Sequence, residues 1–484
     1  MNRLDITASI LFVAATCFAK SNALENKYRA LADGPVARGA QWGVYIADAK
    51  TGKAVLEHYQ DNRFIPASTL KLFVTAAAMS GLGPDYRFKT EVCTTAPVNK
   101  GTLSGDLAVI GAGDPSLGST VIEGAQPYDE IIDGWAQAVA KAGITEITGD
   151  IVADVSLFDG LSVPRSWPYE DLGNYYAAPA SALSIHDNLY KLIFKTGKQS
   201  GDPVRILRTE PEMEGLAFTN YLFTGTPGSG DEGYIFRAPG QTAAQLRGTE
   251  GPSSGEAAIK GSMPDPALFT VRELTKALVR HGIKVAGNPR VSQTPANRVT
   301  LIAQTSGSTV KDIVFETNKR SFNFYAEMLL RALAVQSGHK GTETEGIAQL
   351  RAFLERAGVN TTDVRLDDAC GLSKNDLVTP HALAQILVYA RKSQSAADFE
   401  NSLPVPGDKY TTGHIKHFGA GTPVAERVKL KSGSLSDVRS YAGYLKAKSG
   451  KTLVFAFIIN GYNASGDEVD KLHEQLLNAA YSSQ

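Results

Sequence analysis

Apolar and polar positions alternate from Trp42 to Tyr59, with Val44-Tyr45-Ile46-Ala47 and Ala54-Val55-Leu56 flanking Lys50-Thr51-Gly52-Lys53. A period of two interrupted by a glycine turn predicts a β-hairpin. The pattern then changes: Pro66 opens residues 67–80 (ASTLKLFVTAAAMS), apolar on nearly every face, and Gly81 and Gly83 close the run. Such a segment predicts a helix buried at the centre of a domain. Helical periodicity returns at 269–281, through 309–337, at 344–357 and at 379–392. The end of the chain reads as strands at 427–431, 440–448 and 452–459, with turns at Ser434 and at Ser449-Gly450-Lys451, followed by an amphipathic helix at 469–480. The first and last segments therefore read as halves of one α/β domain.

Between them, residues 93–299 have a different character. This stretch is rich in Gly, Pro, Ser and Thr, carries short strand-like pieces such as Leu107-Ala108-Val109-Ile110 and Ile151-Val152-Ala153, and includes a polar glycine-rich tract at 225–255. It reads as inserted material, ending in the helix at 269–281 and a return strand at Gly282-Ile283-Lys284-Val285. A chain of 484 residues exceeds what one hydrophobic core organises, which agrees with several domains.

Charge adds mainly exclusions. With 49 basic and 50 acidic residues, neither nucleic acid nor an anionic membrane surface is favoured as the main partner. Arg3, an apolar run at 10–19 and Ser21-Asn22-Ala23 read as an export signal over residues 1–23, with the mature protein in the periplasm or otherwise outside the cytoplasmic membrane. Ala14-Ala15-Thr16 before Cys17 lacks the Leu or Val of a lipoprotein box, and no later apolar stretch is long enough for a transmembrane anchor. Cys93 and Cys370 remain after cleavage and are taken as free thiols. The eight histidines form no HExxH motif, and the nearest pair, His414 and His417, reads as a solvated polar face, so no metal or other cofactor is expected.

Three clusters carry candidate chemistry. Ser68 and Lys71 share a face of the buried helix, where burial disfavours the ammonium form and lets Lys71 act as general base to a Ser68 nucleophile. The competing reading has Ser68 capping the helix and Lys71 reaching out to water. The same spacing recurs at Ser308 to Lys311 and Ser337 to Lys340, in a polar stretch and at a helix end, so burial distinguishes the first copy. Ser321 and Asn323 precede an apolar helical run, placing a proton relay and a peptide-binding amide at a helix entrance. Lys431-Ser432-Gly433 ends an alternating run. Its lysine and hydroxyl suit a substrate carboxylate, and its glycine suits a close backbone approach. The amides of Ser68 and Ser434 would then form an oxyanion hole. Two copies of the third pattern, Lys50-Thr51-Gly52 and Lys195-Thr196-Gly197, read as hairpin turns.

In these clusters the sequence resembles serine-type D-alanyl-D-alanine carboxypeptidases/endopeptidases, the class C low-molecular-mass penicillin-binding proteins. The resemblance extends over Gly113-Asp114-Pro115-Ser116-Leu117, Asp154-Val155-Ser156-Leu157-Phe158, residues 167–172 and 176–183, Gly371-Leu372-Ser373, Leu403-Pro404-Val405 and Ser440-Tyr441-Ala442-Gly443-Tyr444. It implies a penicillin-recognising, β-lactamase-like transpeptidase domain with an antiparallel sheet and helices (24–92 and 300–484). That domain is interrupted by an inserted domain (93–186 and 261–299) carrying a small nested β-rich domain (187–260). It further implies peptidoglycan stem peptides and cross-links as substrates, a Ser68 acyl-enzyme, acylation by β-lactams, and a weak candidate contact from Asp154 to the stem's third residue. Phe322, Ser432 and Cys370 depart from the family's usual residues, and Cys370 raises oxidation near the cleft if its thiol is exposed. Glu170-Asp171-Leu172-Gly173-Asn174 is a poor imitation of the class A loop that a serine β-lactamase needs. A wall-binding protein with the same fold is the other alternative.

Overall fold

Trp42, Val44 and Ile46 fall on one face of a strand by the period-two rule, and that face is where the first core forms. The computed structural model describes residues 23–484, so the expected export signal lies almost wholly outside the described residues. Gln41–Asp48 pairs with Ala54–His58 as the expected antiparallel hairpin. It sits inside a five-stranded antiparallel sheet in the order Val428–Leu435, Val438–Lys446, Thr452–Asn460, Gln41–Asp48, Ala54–His58.

On one face, Trp42, Val44, Ile46, Phe455, Phe457 and Ile459 pack with Leu24 and Tyr28 from the helical stretch 23–32 and with Val469, Leu472, Leu476 and Leu477 of the helix Gly466–Ser483. Ser465 and Glu468 form a capping box that starts this helix. On the other face Gly43 admits Phe64 and Pro380, where a side chain would collide with both rings. Pro380–Lys392 lies there, begun by the Thr379 cap and a proline in its first turn. These elements belong to one compact unit that takes in residues 23–84, 314–321 and 350–484 of the described chain. The described residues contain no helix long and apolar enough to cross a membrane.

The second unit comprises residues 85–313 and 322–349. Its main sheet is mixed, in the order Pro289–Ser292, Ile151–Asp154, Leu107–Ile110, Arg87–Thr94, Thr300–Thr309. The expected helix near 269–281 is Pro266–Arg280, capped by Asp265. Residues 189–262 supply two three-stranded sheets around Tyr190, Leu192, Phe194, Leu222, Ile235 and Leu246, a separate apolar cluster within the polar tract. The glycine tract 225–255 thus contains two paired strands, Asp231–Phe236 and Ala243–Glu250, which bury Ile235, Ala244 and Leu246 in that cluster.

One expectation fails at the end of the chain. Ser434 is not in a turn: the strand runs on through Leu435 with Ser434 opposite Arg439, and the chain reverses at Ser436-Asp437. The polar run Ser432-Gly433-Ser434 imitates turn composition, but cross-strand pairing decides its conformation. The histidine pair also differs from expectation. His417 is exposed, whereas His414 is half-buried beside the Tyr441 ring, and burial pushes its pKa down to about 4.

Candidate active site

Pro66 introduces a four-residue 3-10 turn, Ala67–Leu70, that passes directly into the helix Lys71–Gly81. Ala67 has a left-handed φ of +47°, which costs an alanine conformational energy and so requires support from its surroundings. That support is visible. The Pro66 carbonyl accepts from Thr69 Oγ1 (2.8 Å) and Ser440 Oγ (2.5 Å), and the two hydroxyls lie 3.0 Å apart. The strand Val438–Lys446 thereby clamps the turn from which Ser68 projects.

Ser68 is partly exposed and Lys71 fully buried. Lys71 Nζ lies 2.9 Å from Ser68 Oγ and donates to the Cys370 carbonyl at 2.7 Å. The lysine therefore does not reach out to water, and the three-residue spacing becomes a direct contact between amine and hydroxyl.

Lys431 repeats the arrangement. It is 1% exposed, and its Nζ donates to Ser321 Oγ (2.9 Å) and to the Ser432 carbonyl (2.7 Å). Burial, reinforced by the nearby Lys71 charge, holds its pKa well below the ordinary lysine range. Two buried amines each contact one serine, and an arriving carboxylate would favour the protonated form of Lys431. Ser321 adopts a left-handed φ of +58°, a second strained position in the same cluster.

Val428–Leu435 is the outer strand of its sheet. The Leu430 amide donates outwards to the Pro404 carbonyl at 3.0 Å. By strand alternation the amides of Ser432 and Ser434 project to that same outer side. Gly433 faces the nucleophile turn: a Cβ there would lie 2.6 Å from the Pro66 oxygen and 2.7 Å from the Ser68 amide nitrogen. Ser68, Lys71, Ser321, Lys431, Ser432, Gly433 and Ser434 all belong to the first unit.

Two expected residues belong to the second unit. Asn323 opens the helix Asn323–Gln336 and its amide donates to the Tyr176 carbonyl at 2.9 Å. Asp154 is 2% exposed, and its carboxylate accepts from the amides of Ser156 (2.9 Å) and Ala296 (2.8 Å), so it fastens a strand end. Cys93 and Cys370 are both buried free thiols. Cys370 is 0% exposed and lies 3.5 Å from Asp368 Oδ2, which removes the exposure that easy oxidation requires.

Several contributors escape motif reading. Arg439 donates to Ser434 Oγ (2.7 Å) and to Asp470 Oδ2 (3.2 Å). It faces Ser434 only through the hairpin register. Thr69 and Ser440 act through backbone oxygens, and Asp368 acts on backbone amides. The alternating pattern of 427–448 was the one signal able to suggest the Arg439 pairing.

A model of the D-Ala-D-Ala carboxypeptidase 3 (S13) family matches residues 24–480. The D-alanyl-D-alanine carboxypeptidase of Actinomadura sp. (strain R39) is 28% identical over 456 residues, which cover 92% of this chain and 82% of that protein. The D-alanyl-D-alanine carboxypeptidase DacB of Haemophilus influenzae is 24% identical, with 87% and 86% covered. Among solved structures, penicillin binding protein 4 (dacB) from Haemophilus influenzae superposes with a TM-score of 0.80 at 22% identity, covering 94% of this chain and 99% of that one. The same protein has also been solved in complex with a β-lactam.

Proposed function

The chain belongs to the D-Ala-D-Ala carboxypeptidase 3 (S13) family, and from that premise we propose that it cleaves the terminal D-Ala-D-Ala bond of peptidoglycan stem peptides, and their cross-links, through an acyl-enzyme on Ser68. The observation that carries this reading is the buried Lys71 Nζ at 2.9 Å from Ser68 Oγ, beside a second buried amine that contacts Ser321.

In the proposed reaction Lys71 takes the Ser68 proton as Oγ attacks the carbonyl of the penultimate D-Ala. The amides of Ser68 and Ser434 receive the developing oxyanion, each such donor contributing ~3 kcal/mol to the transition state. Ser321, hydrogen-bonded to Lys431, relays that proton from Lys71 to the departing D-Ala amine, which leaves Lys71 neutral again. Lys431 and Ser432 hold its carboxylate, and Asn323 binds the peptide backbone. Water then hydrolyses the ester, with Lys71 again accepting a proton. A β-lactam presents a carbonyl and a carboxylate in the same relation and would acylate Ser68. With both Asp154 oxygens engaged by backbone amides, a stem-peptide contact at that residue has the least support. Export follows from Arg3 and the apolar run 10–19, and would place the enzyme where its substrate lies.

The test is labelling of the mature protein with a fluorescent penicillin, beside a Ser68→Ala control, with D-Ala release from a pentapeptide measured in parallel. Stable labelling with D-Ala release is expected. Rapid label loss without peptide cleavage would identify a β-lactamase, and absence of Ser68-dependent labelling would identify a wall-binding protein.

A further inference from the structure

The backbone oxygen that receives Lys71 lies at the tip of a closed loop. Arg365 and Leu377 exchange two backbone hydrogen bonds (2.8 and 2.9 Å) that pin its ends. Inside it, the Asp368 carboxylate collects four successive amides. Oδ1 accepts from Cys370 (2.9 Å) and Gly371 (2.6 Å), and Oδ2 from Leu372 (3.0 Å) and Ser373 (2.8 Å). Consecutive N–H groups curled round one anion form a nest, and here the anion comes from the chain itself. Gly371, at φ +81°, completes the curl and lies directly on the Ala67 carbonyl, where a Cβ has no room.

A second carboxyl supports the first. Asp376 Oδ1 accepts from the amides of Asp367 (2.7 Å) and Asp368 (3.3 Å), which sets its carboxyl beside that of Asp368. Both residues are 0% exposed. Two buried carboxyls in contact do not both ionise. Burial and the adjoining Asp368 carboxylate raise the Asp376 pKa well above the carboxylate range, which favours the protonated form of Asp376.

We propose that Asp368, supported by Asp376, is a positioning residue for catalysis: it fixes the 370–373 backbone so that the Cys370 carbonyl orients Lys71 towards Ser68. The inference rests on Ser68 as nucleophile and Lys71 as its base. A neutral amine has one lone pair, and it must point at the serine proton while its N–H groups find acceptors elsewhere. The Cys370 carbonyl is such an acceptor at 2.7 Å. A loop free to turn that carbonyl away would let the amine rotate.

Asparagine cannot replace Asp368 in this role, because whichever way its amide is flipped, the NH2 group opposes two backbone donors. At Asp376 the opposite holds: asparagine supplies a permanent N–H towards Asp368, whereas leucine supplies nothing. The experiment measures kcat and KM for D-Ala release, with the fluorescent-penicillin acylation rate, in the full mature chain carrying Asp368→Asn, Asp376→Asn or Asp376→Leu, each checked for folding by its thermal melt. For Asp368→Asn the expected result is a kcat ~100-fold lower, the scale of an ångström's misplacement of a reacting group, at a KM within ~3-fold of wild type. Asp376→Asn should exceed Asp376→Leu in kcat by about tenfold or more, a conservative rescue that a purely structural role would not produce. A folded Asp368→Asn enzyme with kcat within ~3-fold of wild type, or one altered only in KM, overturns the proposal. Should Asp368→Asn not fold, the Asp376 pair decides, and equal kcat for Asn and Leu overturns it. If wild type itself shows no Ser68-dependent labelling, the functional reading fails and takes this inference with it. If only the Asp368 and Asp376 variants behave like wild type, the functional reading stands alone.

Discussion

Gly433→Ala gives the most direct test of how the site is assembled. Gly433 lies outside the left-handed region, so an added methyl acts through space alone. Its Cβ would be 2.6 Å from the Pro66 oxygen and 2.7 Å from the Ser68 amide nitrogen, whereas real Cβ contacts essentially never fall below 3.0 Å. Those two atoms are backbone flanking the strained Ala67 and cannot yield, and the Ser440 hydroxyl, which the methyl would also meet, is itself held by the Pro66 carbonyl. Strand and turn must part by about half an ångström, because a close-packed interior offers no slack. The proposed oxyanion donors, the amides of Ser68 and Ser434, belong to the turn and the strand respectively, and such a donor works only within a narrow distance window. Loss of one donor's contribution, ~3 kcal/mol, corresponds to a drop of roughly 100-fold in acylation. Overpacking would also lower stability by about 1–3 kcal/mol. The assay is the second-order rate of fluorescent-penicillin labelling, with Gly134→Ala as control. Gly134 lies in the helix Tyr128–Lys141 with open space beyond it, so alanine there should label like wild type and gain up to ~1 kcal/mol of stability. A Gly433→Ala enzyme that acylates within ~3-fold of wild type would refute the close approach as the reason for glycine.

Gly371→Ala combines a left-handed φ of +81° with a Cβ placed on the Ala67 carbonyl. Chemical denaturation should show a loss of about 2 kcal/mol or more, accompanied by a fall in kcat, whereas Gly450→Ala, at φ +87° with nothing near, should lose only the conformational part and keep full activity. His473 is fully buried among Trp42, Tyr441 and Phe457, and burial followed by the Arg439 charge pushes its pKa down to about 3. The folded value lies below the unfolded one near 6.5, so the unfolded chain takes the proton first and stability falls as pH drops from 6.5 towards 3. His473→Phe should therefore gain on wild type by ~2–3 kcal/mol between pH 7 and pH 4.5. Paired melts across that range would show a constant difference if the histidine were charged in the fold.

The expected hairpin, the buried nucleophile helix and the three final strands were legible because their apolar period matches their burial. The three clusters were legible as candidates once each was assigned to an element, since buried-helix context separated Ser68 from the copies at Ser308 and Ser337. What escaped was pairing across space. Ser434 looked like a turn because its composition is polar, and only its register with Arg439 makes it strand. Asp368 was invisible because its partners are backbone amides, which leave no trace in side-chain spacing. The strained backbone at Ala67 and Ser321 was equally hidden, since neither residue type announces a left-handed conformation.

The sheet order has a consequence for how the molecule comes into being. Gln41–Asp48 sits between the last strand, Thr452–Asn460, and its own hairpin partner. A polypeptide ending at residue 427 would already contain Ser68, Lys71, Ser321 and the Asp368 loop. It would still lack the Ser440 hydroxyl that braces Pro66, the Lys431 amine beside Ser321, and three of the five strands. During synthesis Ser68 thus waits for the final part of the chain before these surroundings exist. A hydrolase built in this order assembles its candidate site only after the strands that carry Lys431 and Ser440 have been made.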